Sequence, residues 1–522
     1  MKMTKLLWGL GLLFLWNAWS CAPSRDTFSE GTDEQVMSDD GIIEFTFFHI
    51  NDVYEIAPLE DGKKGGMARV ATLFKKAKRE NPNTIFVHAG DFLNPSLLGT
   101  LKYEGKSIKG RQMVEVMNAC GVDVVTLGNH EFDLKPDELQ ARINESRFDW
   151  LATNVLTFEG EKRIPFRRQT SPPEWLPETW SRTLTDEDGT QIRVGIFGAT
   201  VPSNPKDWVY YEDFYAEAVK CYLELNPRHD LVFGLTHLNM VEDLKLASML
   251  PNVPLLMGGH DHDHIIDTVG NVCIAKADAN AKTVYLHHVR YNKNTGEVKL
   301  RSELVPVTDQ IPEDPEVAAI VEKWMRIQDE NLAQIVDKPY EVVGHSEVPL
   351  DGREKSIRNF QTNLGELICK GFAHAARVRR ADAAIMNGGS VRIDDQLSGD
   401  ILAVDFFRAM PFGGQVWEMD IRGSDLMTAL NQGLENKGTG GYLQWYNIEY
   451  DPVKKSWKIG GKPLARDKTY HLCLNDYLAA HSETIAPVFK KAGVKFYKPD
   501  PADKDDPRSD VRKAVISFLK GE

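Results

Sequence analysis

Positive charge is the first thing this 522-residue chain lacks: 62 lysines and arginines face 76 aspartates and glutamates, a formal net charge of −14. A nucleic-acid polymer needs clustered Lys and Arg to displace its counterions, so the balance argues against DNA or RNA as partner. It leaves room for a small phosphorylated substrate, because a bound cation can reverse the local sign. Cysteine is also sparse. Apart from Cys21, the remaining five, Cys120, Cys221, Cys273, Cys369 and Cys473, are scattered, odd in number and without C-x-x-C spacing. They read as small buried hydrophobes, which argues against a disulfide framework or a zinc knuckle. Repeats and low-complexity tracts are absent. The apolar stretch Leu6–Trp16 falls short of the roughly 20 residues that span a bilayer.

That stretch follows Lys2 and Lys5 and leads through Ala18-Trp19-Ser20 into Cys21. This is the pattern of a secretory leader over residues 1–20. Cys21 resembles a bacterial lipoprotein acylation site, which implies an exported protein, periplasmic or on the cell surface, anchored by a lipid on Cys21. Simple secretion with an unmodified Cys21 is the alternative. The polar, acidic stretch 21–42 reads as a tether.

Length favours two domains, and 42% hydrophobic residues allow large cores. Five short apolar runs each end in a residue that binds metals. Phe45–Ile50 meets Asn51-Asp52, Thr84–Ala89 meets Gly90-Asp91, and Val122–Leu127 meets Gly128-Asn129-His130. Leu231–Thr236 meets His237, and Val253–Met257 meets Gly258-Gly259-His260-Asp261-His262. Such runs read as buried strands, and helical spacing in Met67–Lys78 and Arg111–Cys120 between them means βαβ units. Ligands of open α/β sheets gather beyond the carboxyl ends of the strands. Five strands delivering Asp, Asp, Asn, His and a His pair to one edge would build a two-metal site. Asp91 is the natural bridge, since a carboxylate has two oxygens. The donor set suits two divalent ions such as Zn, Mn or Fe. Two adjacent cations clamp the attacking and leaving oxygens of an in-line displacement and acidify water, so hydroxide attack on a phosphate ester is the chemistry expected.

The second half begins after a charged helical stretch, 313–339, whose apolar stripe (Val317, Ile320, Val321, Trp324, Ile327, Leu332) marks it as a connector. A catalytic domain over 43–312 and a second domain over 340–522 follow. In the latter, Asn363–Ala375 and Gly423–Glu435 read as helices and Ala383–Met386 as a strand.

The block Asn51-Asp52, Gly90-Asp91, Gly128-Asn129-His130-Glu131-Phe132-Asp133, Thr236-His237 and Gly259-His260-Asp261-His262 resembles the calcineurin-like metallophosphoesterases. Asn363-Leu364-Gly365, Asn387-Gly388-Gly389-Ser390-Val391-Arg392 and Pro411-Phe412 resemble the C-terminal domain of the 5'-nucleotidase / UDP-sugar hydrolase family. The resemblance implies a four-layer α/β sandwich, two sheets flanked by helices, followed by a smaller α+β substrate-binding domain. It assigns Asp52, Asp91 and His262 to one metal, and Asp91, Asn129, His237 and His260 to the other. His130 would stabilise phosphoryl charge or protonate the leaving oxygen, oriented by Asp133. Arg358 and Arg392 would meet phosphate, Asn387 the base or its turn, and Phe412 and Tyr477 would sandwich the base. Glu483 stands where the family has an Asp, within Ala480–Thr484, where its glycine-rich loop is missing.

A second departure is Tyr54, where the family carries a metal-binding His. Three readings compete: ligation as phenolate, a phenol standing aside for water, or a first site filled only with substrate. His49 and His88 read as satisfied core histidines, and His264 as a solvated loop residue. The function implied is a secreted nucleotide phosphohydrolase of 5'-nucleotidase type. A 2',3'-cyclic nucleotide phosphodiesterase, a UDP-sugar hydrolase or a nucleotide-binding lipoprotein with a decayed metal site are the alternatives. A sulfur-compound hydrolase of similar architecture ranks lower, because the nucleotide-pocket residues are largely present.

Overall fold

Two six-stranded sheets face each other in the first half of the chain. The computed structural model describes residues 39–60, 62–203, 205–500, 502, 503 and 505–521. The leader, Cys21 and the tether as far as residue 38 therefore lie outside the described residues. No helix among the described residues is long and apolar enough to cross a membrane.

The first sheet runs in the order Glu297–Pro306, Thr283–Asn292, β1 (Ile42–Ile50), β2 (Thr84–His88), β3 (Val124–Thr126) and Asp149–Leu151. From β1 to Asp149–Leu151 the strands are parallel, and Thr283–Asn292 pairs with β1 antiparallel. The second sheet runs Thr179–Thr185, Gln191–Thr200, β4 (Leu231–His237), β5 (Leu255–Gly258), Val272–Lys276 and Ile265–Val269, with its four middle strands parallel. Buried apolar residues of both sheets make one core. Phe45 and Phe47 of β1 meet Phe233 of β4 edge-on across the gap, with ring centres 6.0 and 4.9 Å apart, a geometry that adds to area burial.

Helices α1 (Met67–Glu80) and α2 (Arg111–Cys120) cover the outer face of the first sheet, where Phe74 packs on Phe86 at 4.8 Å. Phe214–Leu225 and Met240–Met249 cover the second. The result is the helix–sheet–sheet–helix sandwich expected. Helix α3 (Pro315–Leu332) starts at Asp314, whose carboxylate caps the Val317 amide, with Pro315 in the first turn. It is no free connector. Trp324 is fully buried, its indole donates to Glu115 of α2 at 3.0 Å, and Lys323 pairs with the same carboxylate. The helix packs along α1 and α2.

The second half is built on a five-stranded sheet in the order Leu443–Tyr446, β6 (Ala383–Asn387), β7 (Thr469–Asn475), Val416–Arg422 and Phe496–Tyr497. Helices α4 (Asn363–His374) and α5 (Val511–Lys520) pack on one face, and Gly423–Glu435 on the other. Among the described residues Cys120, Cys221, Cys369 and Cys473 are buried and unpaired, and Cys273 is partly exposed.

Candidate metal and substrate cleft

The carboxyl ends of β1, β2, β3, β4 and β5 converge because the two sheets are stapled there. Thr200 Oγ1 donates to Leu127 O at 2.6 Å, and His237 Nδ1 bonds Ala89 O at 2.7 Å, both across the sandwich. Asp91, His237 and His260 each offer a ligand atom, and these lie within 4.8 Å of one another. Asp91 Oδ2 stands 3.0 Å from His237 Nε2. Asn129 Oδ1 is 3.2 Å from the same nitrogen, and His260 Nδ1 3.3 Å. Asp52 Oδ1 faces His262 Nε2 at 3.4 Å. All six residues expected to bind metal are thus together.

The backbone is bent to put them there. Asp52, Asp91, His260 and His262 have φ of 53°, 60°, 83° and 62°, a left-handed region that costs a non-glycine residue about 1–3 kcal/mol and collects at functional sites. Their glycine neighbours allow the close approach: a Cβ on Gly128 would lie 2.1 Å from Asp91 Oδ1, and one on Gly259 2.5 Å from Ala89 O.

Several groups that hold this geometry carried no assigned role in the sequence reading. Glu131 is fully buried and accepts the amides of Asp91, Phe92, Leu93 and Gly128 at 2.9, 2.8, 3.2 and 2.7 Å. Burial and then the Asp91 carboxylate lift its pKa to about 7. Asn51 clamps Ala277 through both its amide atoms and donates to Asp52 Oδ2 at 2.7 Å. Asn280 accepts the amides of Tyr54 and Glu55. Lys276, also fully buried, bonds Leu238 O, Gly259 O, Asp261 and Asp243. The signal available for Glu131 was its place inside the Gly-Asn-His-Glu block.

The donor set fits cations. Among the described residues Asp52 Oδ1 is a buried carboxylate oxygen with no hydrogen-bond donor, a costly state unless something else satisfies it. Burial holds His260 down at about 3, so it is a neutral donor. Burial works the same way on His237, but Asp91 and Asp52 overcome it and carry it up to about 9, a proton that a cation between these carboxylates would displace.

Tyr54 points into the site. Its hydroxyl is 3.0 Å from His262 Nε2 and 3.4 Å from Asp91 Oδ2, inside the ligand set. Burial and the surrounding carboxylates raise its pKa well above that of an ordinary phenol. His130 bonds Asp133 through Nδ1 at 2.6 Å, and Asp133 also meets Lys206 at 3.0 Å. His49 bonds Gly258 O and His287. His88 departs from expectation: it is fully buried, yet neither ring nitrogen has a hydrogen-bond partner among the described residues. It follows β-strand alternation into the core, and burial holds it neutral. His264 is exposed and bonds Asp278.

The two halves enclose one cleft of about 1890 Å³, lined by Asn129, His130, His260 and His262 from the first and by Arg358, Asn387, Arg392, Phe412, Tyr477 and Glu483 from the second. Phe412 and Tyr477 are 53% and 50% exposed, open enough to take a flat partner. Asn387 supports the turn, with Oδ1 accepting from Ser390 Oγ and Asn475 Nδ2. Arg358 pairs with Glu354 at 2.6 Å, while Arg392 Nη1 stays 4.0 Å from that carboxylate. Arg392 Nε and Nη1 are buried without hydrogen-bond partners among the described residues.

Residues 45–264 match the family model for calcineurin-like phosphoesterases, and residues 342–491 match that for the 5'-nucleotidase C-terminal domain. The trifunctional nucleotide phosphoesterase protein of Bacillus subtilis is 27% identical over 87% of this chain, which spans only 33% of that relative's length. The 5'-nucleotidase of Bos taurus is 26% identical over 84% of this chain and 83% of its own. The crystal structure of a 5'-nucleotidase precursor from Thermus thermophilus superposes with a TM-score of 0.70 at 24% identity, covering 92% of this chain and 96% of that one.

Proposed function

Because the chain belongs to the family that joins a calcineurin-like phosphoesterase domain to a 5'-nucleotidase C-terminal domain, and is a phosphoric ester hydrolase, we propose that it releases phosphate from nucleotides, with nucleoside monophosphates as the substrate class. The observation that carries this reading is the shared cleft. Its floor reaches the Asp91–His237–His260 cluster through His260, and its opposite wall holds Arg392 donors without partners among the described residues beside two half-exposed aromatic rings.

Asp52, Asp91 and His262 would hold one divalent ion, and Asp91, Asn129, His237 and His260 the other. When bound, the ions supply Lewis acidity and make water a better acid. The rest falls to the chain's own groups. Arg392 offers two buried N–H donors to phosphate oxygens, a geometry that guanidinium suits. Arg358 is held at the cleft by Glu354. His130, fixed through Nδ1 by Asp133, leaves Nε2 to give a proton to the departing oxygen. Phe412 and Tyr477 would stack on the base, and Glu483 would meet the ribose or base at the rim. The leader and Cys21 support an exported, lipid-anchored protein.

The test is phosphate release from AMP by protein stripped with chelator and reloaded with Mn, Zn, Co or Fe. Release that returns with metal is the expected result. AMP binding without turnover under every metal would overturn the reading and leave a binding protein in its place.

A further inference from the structure

Histidines that bind metals need their second ring nitrogen fixed, because that bond sets the tautomer and the direction of the ligand lone pair. In His237 the partner is local: Nδ1 bonds Ala89 O of the same domain. In His262 it is not. Nε2 points into the ligand set, 3.0 Å from Tyr54 Oη and 3.4 Å from Asp52 Oδ1, so Nδ1 is the outward atom. That atom bonds Asp394 Oδ2, which belongs to the second domain and lies 132 residues further along the chain.

Asp394 is built for this contact. Its other oxygen accepts the Glu354 amide at 2.6 Å, and its φ of 43° is left-handed. Both members of the pair are nearly enclosed, with side chains 14% and 15% exposed. Two further ion pairs bridge the domains beside it, Lys355 to Asp263 and Lys282 to Asp395. Asp394 also sits two residues after Arg392, so one turn carries both a guanidinium that lines the cleft and the carboxylate on His262.

We infer that Asp394 is a positioning residue through which the second domain completes the metal site of the first. The ion held by His262 then binds tightly only while the domains are docked. This rests on the reading of His262 as a ligand. Coupling is reciprocal, so loading that ion also favours the docked arrangement.

The experiment is a calorimetric titration of chelator-stripped, full-length protein with Zn and with Mn. It compares wild type with Asp394→Asn and with Asp395→Asn, which loses the Lys282 pair but leaves His262 untouched. Asn tolerates a left-handed backbone better than most residues, and Asp394→Ser repeats the comparison should Asn fail to fold. The expected result is two ions in wild type and in Asp395→Asn. In Asp394→Asn one ion should be weakened by about 10–100-fold with the other unchanged, the usual cost of losing a carboxylate behind a ligand histidine. Isotherms that superimpose on wild type overturn the inference, as does equal weakening of both ions. Wild type that takes up no ion overturns the reading of the site itself, which separates the two failures.

Discussion

Two buried clusters in this protein are made of the same chemistry and do different things. In the first domain His237 lies between Asp91 and Asn129, next to Asp52. In the second domain His471 bonds Glu418 through Nε2 and Asp420 through Nδ1, each at 2.8 Å. The second cluster is closed. Glu418, fully buried, also accepts the amides of Arg377 and Val378 and pairs with Arg508, while Asp420 pairs with Arg379. None of Glu418, Asp420 and His471 has a positive φ. The first cluster is open: among the described residues an Asp52 oxygen lacks a donor, four residues are held left-handed, and Asn129, His260 and His262 line the cleft. Residue type alone does not tell a structural cluster from a reactive one. Unmet valence, backbone strain and access do.

The comparison breaks most visibly at Asp91. Asp91→Asn removes the bridging charge of the open cluster, and each ion is worth several kcal/mol to the transition state. Turnover should fall by roughly 10⁴-fold, read as initial rates of phosphate release at saturating metal. A variant with near-wild-type rate would show that Asp91 bridges nothing.

The closed cluster should respond in the other currency. Glu418→Gln leaves Arg508 and His471 buried with one carboxylate fewer, a change expected to cost about 3–5 kcal/mol in urea unfolding with kcat of the folded protein unaltered. Burial would raise the Glu418 pKa, but the Arg377 amide, His471 and Arg508 hold it below the ordinary value of 4.5. A depressed carboxyl stabilises the fold above its unfolded pKa and loses that effect as pH falls through the folded one. The gap between wild type and variant should therefore be full at pH 7 and close on acidification below about 4.5. A gap independent of pH, or a loss of kcat, would put the two clusters in one class.

How much of this could be read from sequence follows the same division. The strand ends were legible, because each ligand follows a short apolar run and glycines sit where backbones must touch, as at Gly128 and Gly259. Tyr54 was visible as a departure, but the direction of its hydroxyl depends on a pocket made by His262 and Asp91. Glu131 lay in the open inside its motif. A lone acid in a loop looks solvated until four amides are seen to point at it. His88 looked like any core histidine, since its lack of partners is a property of neighbours from other strands. The apolar stripe of α3 was readable, whereas its docking on α1 and α2 was not. Asp394 gave no local signal at all, because its partner is in the other domain.

The smallest effect sharpens the rule by extending it to apolar groups. Phe412 and Tyr477 are large side chains left about half exposed at the cleft wall, the hydrophobic counterpart of an oxygen without a donor. If that exposure awaits a base, Phe412→Ala should raise KM for AMP by the worth of one stacking contact, about 1–3 kcal/mol, or roughly 5–150-fold. kcat should move little, because the ring touches no reacting atom. The KM of a simple aryl phosphate that cannot reach the wall should rise far less. Arg392 lies over the Phe412 face at 5.6 Å, so the truncation also removes a cation–π contact of about 0.5–1 kcal/mol. That loss would weaken phosphate capture for both substrates alike, so only the difference between the two KM shifts measures the base. Equal shifts would assign the ring to holding Arg392 and take it out of the pocket.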